Sequence, residues 1–317
     1  MSAAVEIEGL TKRFGGTEAL SNLTLSIEAG LVAGLIGPDG AGKSTLLRLL
    51  IGLLLPSSGT IRVAGFDVAR DAAPVKDRIG YMPQHFSLYG DLSVAENMKF
   101  FADLYGVRPA AFRARKVELL AFSGLAPFES RLARNLSGGM QKKLALACNL
   151  FHKPEILLLD EPTTGVDPIS RRELWRLLAL LNHEGVTIIF TTPYMDEAAR
   201  CGRVGFLLDG RLLAYDTPQA LVAGMRNAIV EVTAPLVVAL PVLKNLPGVR
   251  SAHPFGNSIH VVYAGNTADF EALRRTLAAA GAAEAAVRVI PPSFEDVFLA
   301  FAQRPQASGA DLPGERP

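Results

Sequence analysis

Nine consecutive residues, Gly37-Pro38-Asp39-Gly40-Ala41-Gly42-Lys43-Ser44-Thr45, have the types and spacing needed to hold phosphate. They fit G-x-x-x-x-G-K-[ST] at every fixed position. Glycines let a backbone curl so that successive N–H groups point inward as an anion-binding nest. A helix beginning at Lys43 adds its positive dipole end. Lys43 is placed to reach the outer phosphates of a nucleoside triphosphate, and the Ser44 hydroxyl to ligate Mg²⁺. The apolar run Leu31–Ile36 before the loop reads as a buried strand, and Thr45–Ile51 after it as a helix. That context separates a phosphate loop from a glycine-rich turn with a lysine beside it.

Two later stretches bear on the same chemistry. In Leu136-Ser137-Gly138-Gly139-Met140-Gln141, a serine and two glycines open a helix that runs to about Phe151, a second ready anion site. The apolar strand Ile156–Leu159 ends in Asp160-Glu161-Pro162. Carboxylates at the carboxyl end of a parallel strand sit where ligands bind in open α/β sheets. Asp160 is the expected second Mg²⁺ contact, and Glu161 is placed to polarise a water attacking the γ-phosphate. Acidic pairs after strands also cap helices, but Pro162 makes a tight exit here and the phosphate loop lies earlier in the same sheet.

The elements that position these groups follow from the periodicity. Val5–Leu10 and Leu23–Glu28 alternate as strands on either side of an expected turn at Thr11–Gly16. Phe14 in that turn reads equally as an aromatic near the nucleotide base or as an edge-of-core phenylalanine. Short strands are expected at Gly59–Gly65 and Ile79–Met82, the latter ending at Pro83-Gln84. Helices fill Ser93–Phe128, with Ser93 and Glu96 forming a capping box and with breaks at Pro109 and Gly124. Val186–Phe190 and Val204–Leu208 continue the sheet. Beyond about Gly224 the order β-α-β-β-α-β over Ile229–Ile290 is the ferredoxin-like pattern. A last helix is expected around Phe294–Leu299, and a tail from Gln303 too polar and Pro/Gly-rich to fold.

A length of 317 residues allows one large domain plus a smaller one, or two medium ones. A net charge of +1 gives no footprint for nucleic acid. Cys148 and Cys201 lack metal spacing and suggest a reducing compartment without a disulfide framework. Mean hydropathy is positive, yet the longest apolar stretch, Leu46–Leu55, contains Arg48 and falls well short of the roughly 20 residues of a membrane span. The N-terminus lacks the basic-then-apolar pattern of a signal peptide. Any membrane role is therefore expected from the cytoplasm and through a partner.

Over about residues 4–224 the chain resembles the nucleotide-binding subunit of ABC transporters. The resemblance rests on the phosphate loop, Gln84 as Q-loop, Leu136–Gln141 as signature, Ile156–Asp160 as Walker B run, Glu161, and Gly165-Val166-Asp167 as D-loop. It implies a P-loop NTPase with an antiparallel β subdomain and a helical subdomain over about 93–151, within a domain of residues 1–224. A small ferredoxin-like α+β domain (225–302) and the tail (303–317) follow. It further implies a head-to-tail dimer closing on two ATP molecules, each between one subunit's phosphate loop and the other's Ser137-Gly138-Gly139. Phe14 would stack on adenine, Gln84 would sense Mg²⁺ and the attacking water, and Asp167 would act beside them. The helical block would meet an integral membrane permease, which places the chain peripherally on the cytoplasmic face of the inner membrane.

One position departs from the family pattern. Pro193 stands where a histidine usually contacts the γ-phosphate, and proline offers neither a side-chain donor nor a backbone N–H. Losing one such donor typically costs about 10²–10³ in rate, so weakened hydrolysis with intact ATP binding is expected, unless Tyr194 or a water substitutes. His85, His152, His183, His253 and His260 lie elsewhere in the motif order. A homodimer would lack the histidine at both sites; a partner of different sequence could restore one.

Thr163–Pro168, the Pro193–Cys201 run and Pro292–Phe298 are similar to exporter ATPases with a small C-terminal extension, some of them associated with periplasmic adaptor proteins. An importer ATPase, which often carries a C-terminal barrel of short strands, fits the helix-containing C-terminal pattern less well. A soluble ABC protein fits least, because the chain has one set of motifs and no sustained heptads.

Overall fold

In the computed structural model, which describes residues 2–84, 88–225, 227–264 and 270–303, β1 (Ala3–Phe14) and β2 (Thr17–Glu28) form a long antiparallel hairpin. The alternation that predicted them places Val5, Ile7 and Leu10 on the buried face. The expected turn at Thr11–Gly16 contracts to Gly15-Gly16, with Gly15 at φ 57°. Register shifts on either side of Lys12 let the ladder continue through polar residues, and Arg13 pairs with Glu18 across it at 2.9 Å.

β3 (Val32–Ile36) leads through the glycine loop into α1 (Lys43–Leu50). β4 (Ser58–Val63) and β5 (Phe66–Asp67) complete an antiparallel sheet of order β2-β1-β4-β5. After α2 (Ala72–Arg78) and β6 (Ile79–Met82), the helical block consists of α3 (Val94–Leu104) and α4 (Pro109–Ser123). Ser93 and Glu96 make both bonds of the capping box, Pro109 opens α4, and Gly124 closes it in the left-handed conformation. The signature helix α5 (Gly138–Cys148) precedes β7 (Ile156–Asp160), α6 (Pro168–His183), β8 (Thr187–Thr192), β9 (Arg203–Leu208) and β10 (Arg211–Asp216).

These last strands form a six-stranded sheet of order β10-β9-β3-β8-β7-β6, in which β3 pairs parallel with both β8 and β9. The parallel strands read as unbroken apolar runs because both faces are covered. One face receives α1, whose Leu46, Leu47, Leu49 and Leu50 share a core with Ile7, Leu25 and Ile27 of the antiparallel sheet and with Leu35, Leu158 and Ile189. The loop helix is thus wedged between two sheets, which fixes the phosphate loop at its start.

By contact density the chain divides into two units, Met1–Tyr215 and Asp216–Pro317. In the second, α7 (Pro218–Ala223) precedes β11 (Ala228–Thr233), α8 (Leu236–Lys244), β12 (Val249–Phe255), β13 (Ser258–Tyr263), α9 (Phe270–Ala279), β14 (Ala286–Ile290) and α10 (Phe294–Ala302). Its antiparallel sheet has the order β12-β13-β11-β14, the ferredoxin-like arrangement. Val230, Val232, Leu243, Ile259, Val261 and Leu277 supply a core of its own. Cys148 and Cys201 are buried free thiols. Among the described residues no helix is long and apolar enough to cross a membrane. His85 and the tail from residue 304 lie outside the described residues.

Candidate functional site: a phosphate loop beside two carboxylates

Parallel register aligns the carboxyl ends of β3, β7 and β8: Asp160 lies opposite Thr191, and Ile36 opposite Thr192. Whatever follows those three strands is gathered at one edge. Gly37 must be glycine, because a Cβ there would sit 2.1 Å from the Leu207 carbonyl oxygen. Gly40 and Gly42 take φ 81° and 99°, a region that side chains disfavour. Pro38, Asp39 and Gly40 form the exposed crest of the loop. Ala41 is buried beneath it and its carbonyl accepts from Gly210 N at 3.2 Å. Thr45 is half-buried in the first turn of α1, which holds no acidic residue to cancel the helix dipole.

The charged groups lie just inside. Lys43 is 4% exposed; its Nζ donates to Gly37 O at 2.8 Å and Pro38 O at 3.0 Å and lies 3.5 Å from Glu161 Oε1. Ser44 Oγ donates to Asp160 Oδ1 at 2.9 Å. Glu161, at φ 46°, turns its side chain back over the loop, and its Oε2 accepts from Gln84 Nε2 at 2.8 Å and Thr164 Oγ1 at 3.3 Å. Each carboxylate is matched by a cation or by oriented donors, as burial demands. Asp160 Oδ2 is the exception: it is buried with no hydrogen-bond partner among the described residues. A lone carboxylate oxygen beside the Ser44 hydroxyl is the oxygen donor set that Mg²⁺ takes up, so the residues fit that ion.

Two residues that sequence reasoning left without a role stand in this cluster. Thr191 Oγ1 donates to Asp160 Oδ1 at 2.7 Å and accepts from Glu161 N at 3.1 Å, orienting both acids. Lys142, from α5, donates to Gln84 O at 3.0 Å. Burial pushes its ammonium below the usual lysine range, against the pull of Asp160 and Glu161.

Other expected site residues are placed apart from this cluster. Ser137 caps α5 by accepting from Met140 N at 3.3 Å, and with Gly138 it lies at the surface. Gly139 faces inward: a Cβ there would meet Ser170 Cβ and Oγ at 2.3 Å. Asp167 caps α6, its Oδ1 accepting from Ile169 N and Ser170 N at 3.0 Å each. Hydrogen bonds from the Ser170 side chain and backbone hold its carboxyl below the usual range. Phe14 is 48% exposed at the tip of the β1–β2 hairpin, with Lys12 Nζ 4.9 Å from its ring centre, a flat surface open to a stacking partner. Pro193 follows β8 directly, and the Tyr194 ring lies under the Arg171 guanidinium at 4.8 Å. Arg171 is itself bonded to Glu197 at 2.9 Å.

A glycine nest, a buried lysine and paired carboxylates at the carboxyl edge of a parallel sheet define the P-loop nucleotide-binding fold. Comparison with known proteins narrows the class. The family model described as ABC transporter matches residues 20–164. The chain is 42% identical over 302 residues to the probable multidrug ABC transporter ATP-binding protein YbhF of Escherichia coli, covering 94% of this chain and 52% of that protein. It is 38% identical over 303 residues to the daunorubicin resistance ATP-binding protein DrrA3 of Streptomyces coeruleorubidus, covering 93% and 95%. Among solved structures, CbiO1 of Clostridium perfringens superposes with a TM-score of 0.65 at 30% identity over 70% of this chain and 92% of that one. A dimeric ATP-binding cassette in a post-hydrolysis state with ADP and Pi gives 0.62 at 28% identity over 67% and 98%. The chain belongs to the ABC transporter ATP-binding family, and its first unit has the fold of an ATP-binding cassette. It spans about half the length of YbhF (52%) and nearly all of DrrA3 (95%).

Proposed function

We propose that this chain is the ATP-hydrolysing subunit of an exporter, working as a head-to-tail cassette dimer against an integral membrane permease at the cytoplasmic face of the membrane. The observation that carries the proposal is the convergence of Lys43, Ser44, Asp160, Glu161 and Gln84 at one sheet edge, while the Ser137-Gly138 helix start lies exposed and apart. A cassette in which one anion site is complete and a second lacks its own loop works when paired with another. Relatives named for multidrug transport, daunorubicin resistance and Nod factor export support the direction, and a related cassette is dimeric. Those names do not mention a periplasmic adaptor, so the proposed partners stop at the permease and a second ATPase subunit.

In this reading the loop N–H groups and Lys43 bind the β- and γ-phosphates, and Phe14 stacks on the adenine. Ser44, Asp160 and Gln84 would hold Mg²⁺, which would supply neutralisation of phosphate charge. Glu161 accepts a proton from water as the water oxygen bonds to the γ-phosphorus and the bond to the ADP oxygen breaks. Asp167 lies at the D-loop position beside the second subunit. Glu161→Gln keeps the shape and removes the base, so turnover should fall at least about 10²-fold with ATP affinity retained. Parent-like turnover in that variant would overturn the assignment.

Pro193 is proposed to limit the rate. The Tyr194 ring lies against the Arg171 guanidinium, and proline at 193 supplies no donor of its own. Pro193→His should raise kcat toward the roughly 10²–10³ that one such donor contributes; an unchanged steady-state rate would remove the idea. A heterodimer with a histidine-bearing cassette would hydrolyse faster than the homodimer.

A further inference from the structure

We infer that Lys142 is a positioning residue: it ties the signature helix α5 to Gln84 and, through Gln84, sets the place of Glu161. This rests on the ATPase reading above and adds to it a residue that no motif singled out. The connection can be followed atom by atom. Lys142 Nζ donates to the main-chain oxygen of Gln84 at 3.0 Å. Gln84 Nε2 donates to Glu161 Oε2 at 2.8 Å. The other oxygen of Glu161 lies 3.5 Å from Lys43 Nζ. An ammonium on a carbonyl is a charge-assisted bond, stronger and shorter-ranged in its tolerance than a neutral one.

The geometry of α5 gives that bond its meaning. The helix begins at Gly138, with Ser137 and Gly138 at the surface, and Lys142 lies about one turn further along. A helix turn is stiff, so a shift of the exposed start is transmitted to Nζ and from there to the segment that carries Gln84. The neighbouring Lys143 provides a contrast, for it pairs with Glu173 of α6 at 2.8 Å, and Glu173 is largely exposed. Two adjacent lysines on one helix therefore have separate tasks, one tied to the acid cluster and one to the helix surface. Gln84 is held at both ends, backbone by Lys142 and side chain by Glu161. Release of the backbone end leaves the amide free to lead Glu161 away from the line of attack, while Lys43 and the loop N–H groups that bind the phosphates keep their places.

The test is the steady-state ATPase of the full chain. Lys142→Met is expected to lower kcat about 10- to 100-fold with little change in KM, the signature of misplacement rather than lost binding. Lys142→Arg, which keeps a cationic donor, should recover most of the loss, and Lys143→Met should match the parent. Lys142→Gln, a shorter neutral donor, should fall between Met and Arg and serves in place of Lys142→Met if that variant does not fold. In a double-mutant cycle, adding Lys142→Met to Gln84→Ala should cost little more than Gln84→Ala alone. Losses that multiply, a parent-like kcat in Lys142→Met, or an effect confined to KM would each overturn the inference. If Glu161→Gln hydrolyses ATP like the parent, the ATPase reading falls and this inference with it. If Glu161→Gln is inactive while Lys142→Met is parent-like, only the inference falls.

Discussion

At the scale of single residues, the site depends as much on what is missing as on what is present. Gly139 shows this outside the phosphate loop. Gly139→Ala would force a Cβ to within 2.3 Å of the Ser170 side chain, and overpacking of this kind costs about 1–3 kcal/mol. Denaturant melts should show that loss, and Ser170→Gly in the same chain should restore only part of it, since it relieves the clash and keeps the backbone N–H of the Asp167 cap but gives up the Ser170 side-chain bond to Asp167. The residues of the phosphate loop and the Asp160-Glu161 pair were legible in the sequence because each is a short string whose chemistry is local. Thr191 and Lys142 were not. The role of Thr191 depends on the register that sets it opposite Asp160, and that of Lys142 on a contact with a residue 58 positions away. Asp167 was read for chemistry; its visible task is to cap α6.

At the scale of elements, local signals worked where an element closes on itself. The Ser93–Glu96 box was visible as a spacing and is present as a pair of bonds. The length of the β1–β2 hairpin was not visible, because its outer half is held by ladder bonds and bulges rather than by an apolar alternation. In the second unit, the same kind of box sits at the start of α10 with an addition. Asp296 Oδ2 accepts from Ser293 N at 2.8 Å and Ser293 Oγ at 2.6 Å, while its Oδ1 lies 2.9 Å from Nδ1 of the buried His260 on β13. One carboxylate therefore both starts the helix and fastens it to the sheet. Asp296→Ala should lower stability by about 1–3 kcal/mol, the cost of leaving a buried polar partner unmatched. The readout is the denaturation midpoint, and an unchanged midpoint would show that α10 is held by its apolar face alone.

At the scale of the whole molecule, acid sensitivity has an identifiable contributor in His152. Its Nε2 lies 3.0 Å from Ile79 O and its ring stacks on Tyr105 at 3.8 Å. Burial, the largest influence, lowers its pKa from the ordinary 6.5. The unfolded chain thus binds the proton more readily than the folded one, so stability is complete above about pH 6.5 and falls as pH drops below it. Unfolding midpoints at about pH 8 and about pH 5.5 should differ less in His152→Gln than in the parent. The strand and helix order beyond about Gly224 had pointed to a second domain, and the chain holds two separate cores; which apolar residues meet in each was not legible in the sequence, since that depends on the packing. The Gly139–Ser170 contact has a mechanical consequence at this scale. With no side chain between them, the first turns of α5 and α6 touch as backbone against side chain, so Ser137 and Asp167, the caps of those turns, form one rigid corner. A subunit that docked there would meet both caps at a fixed separation, and neither could be adjusted without carrying the other along.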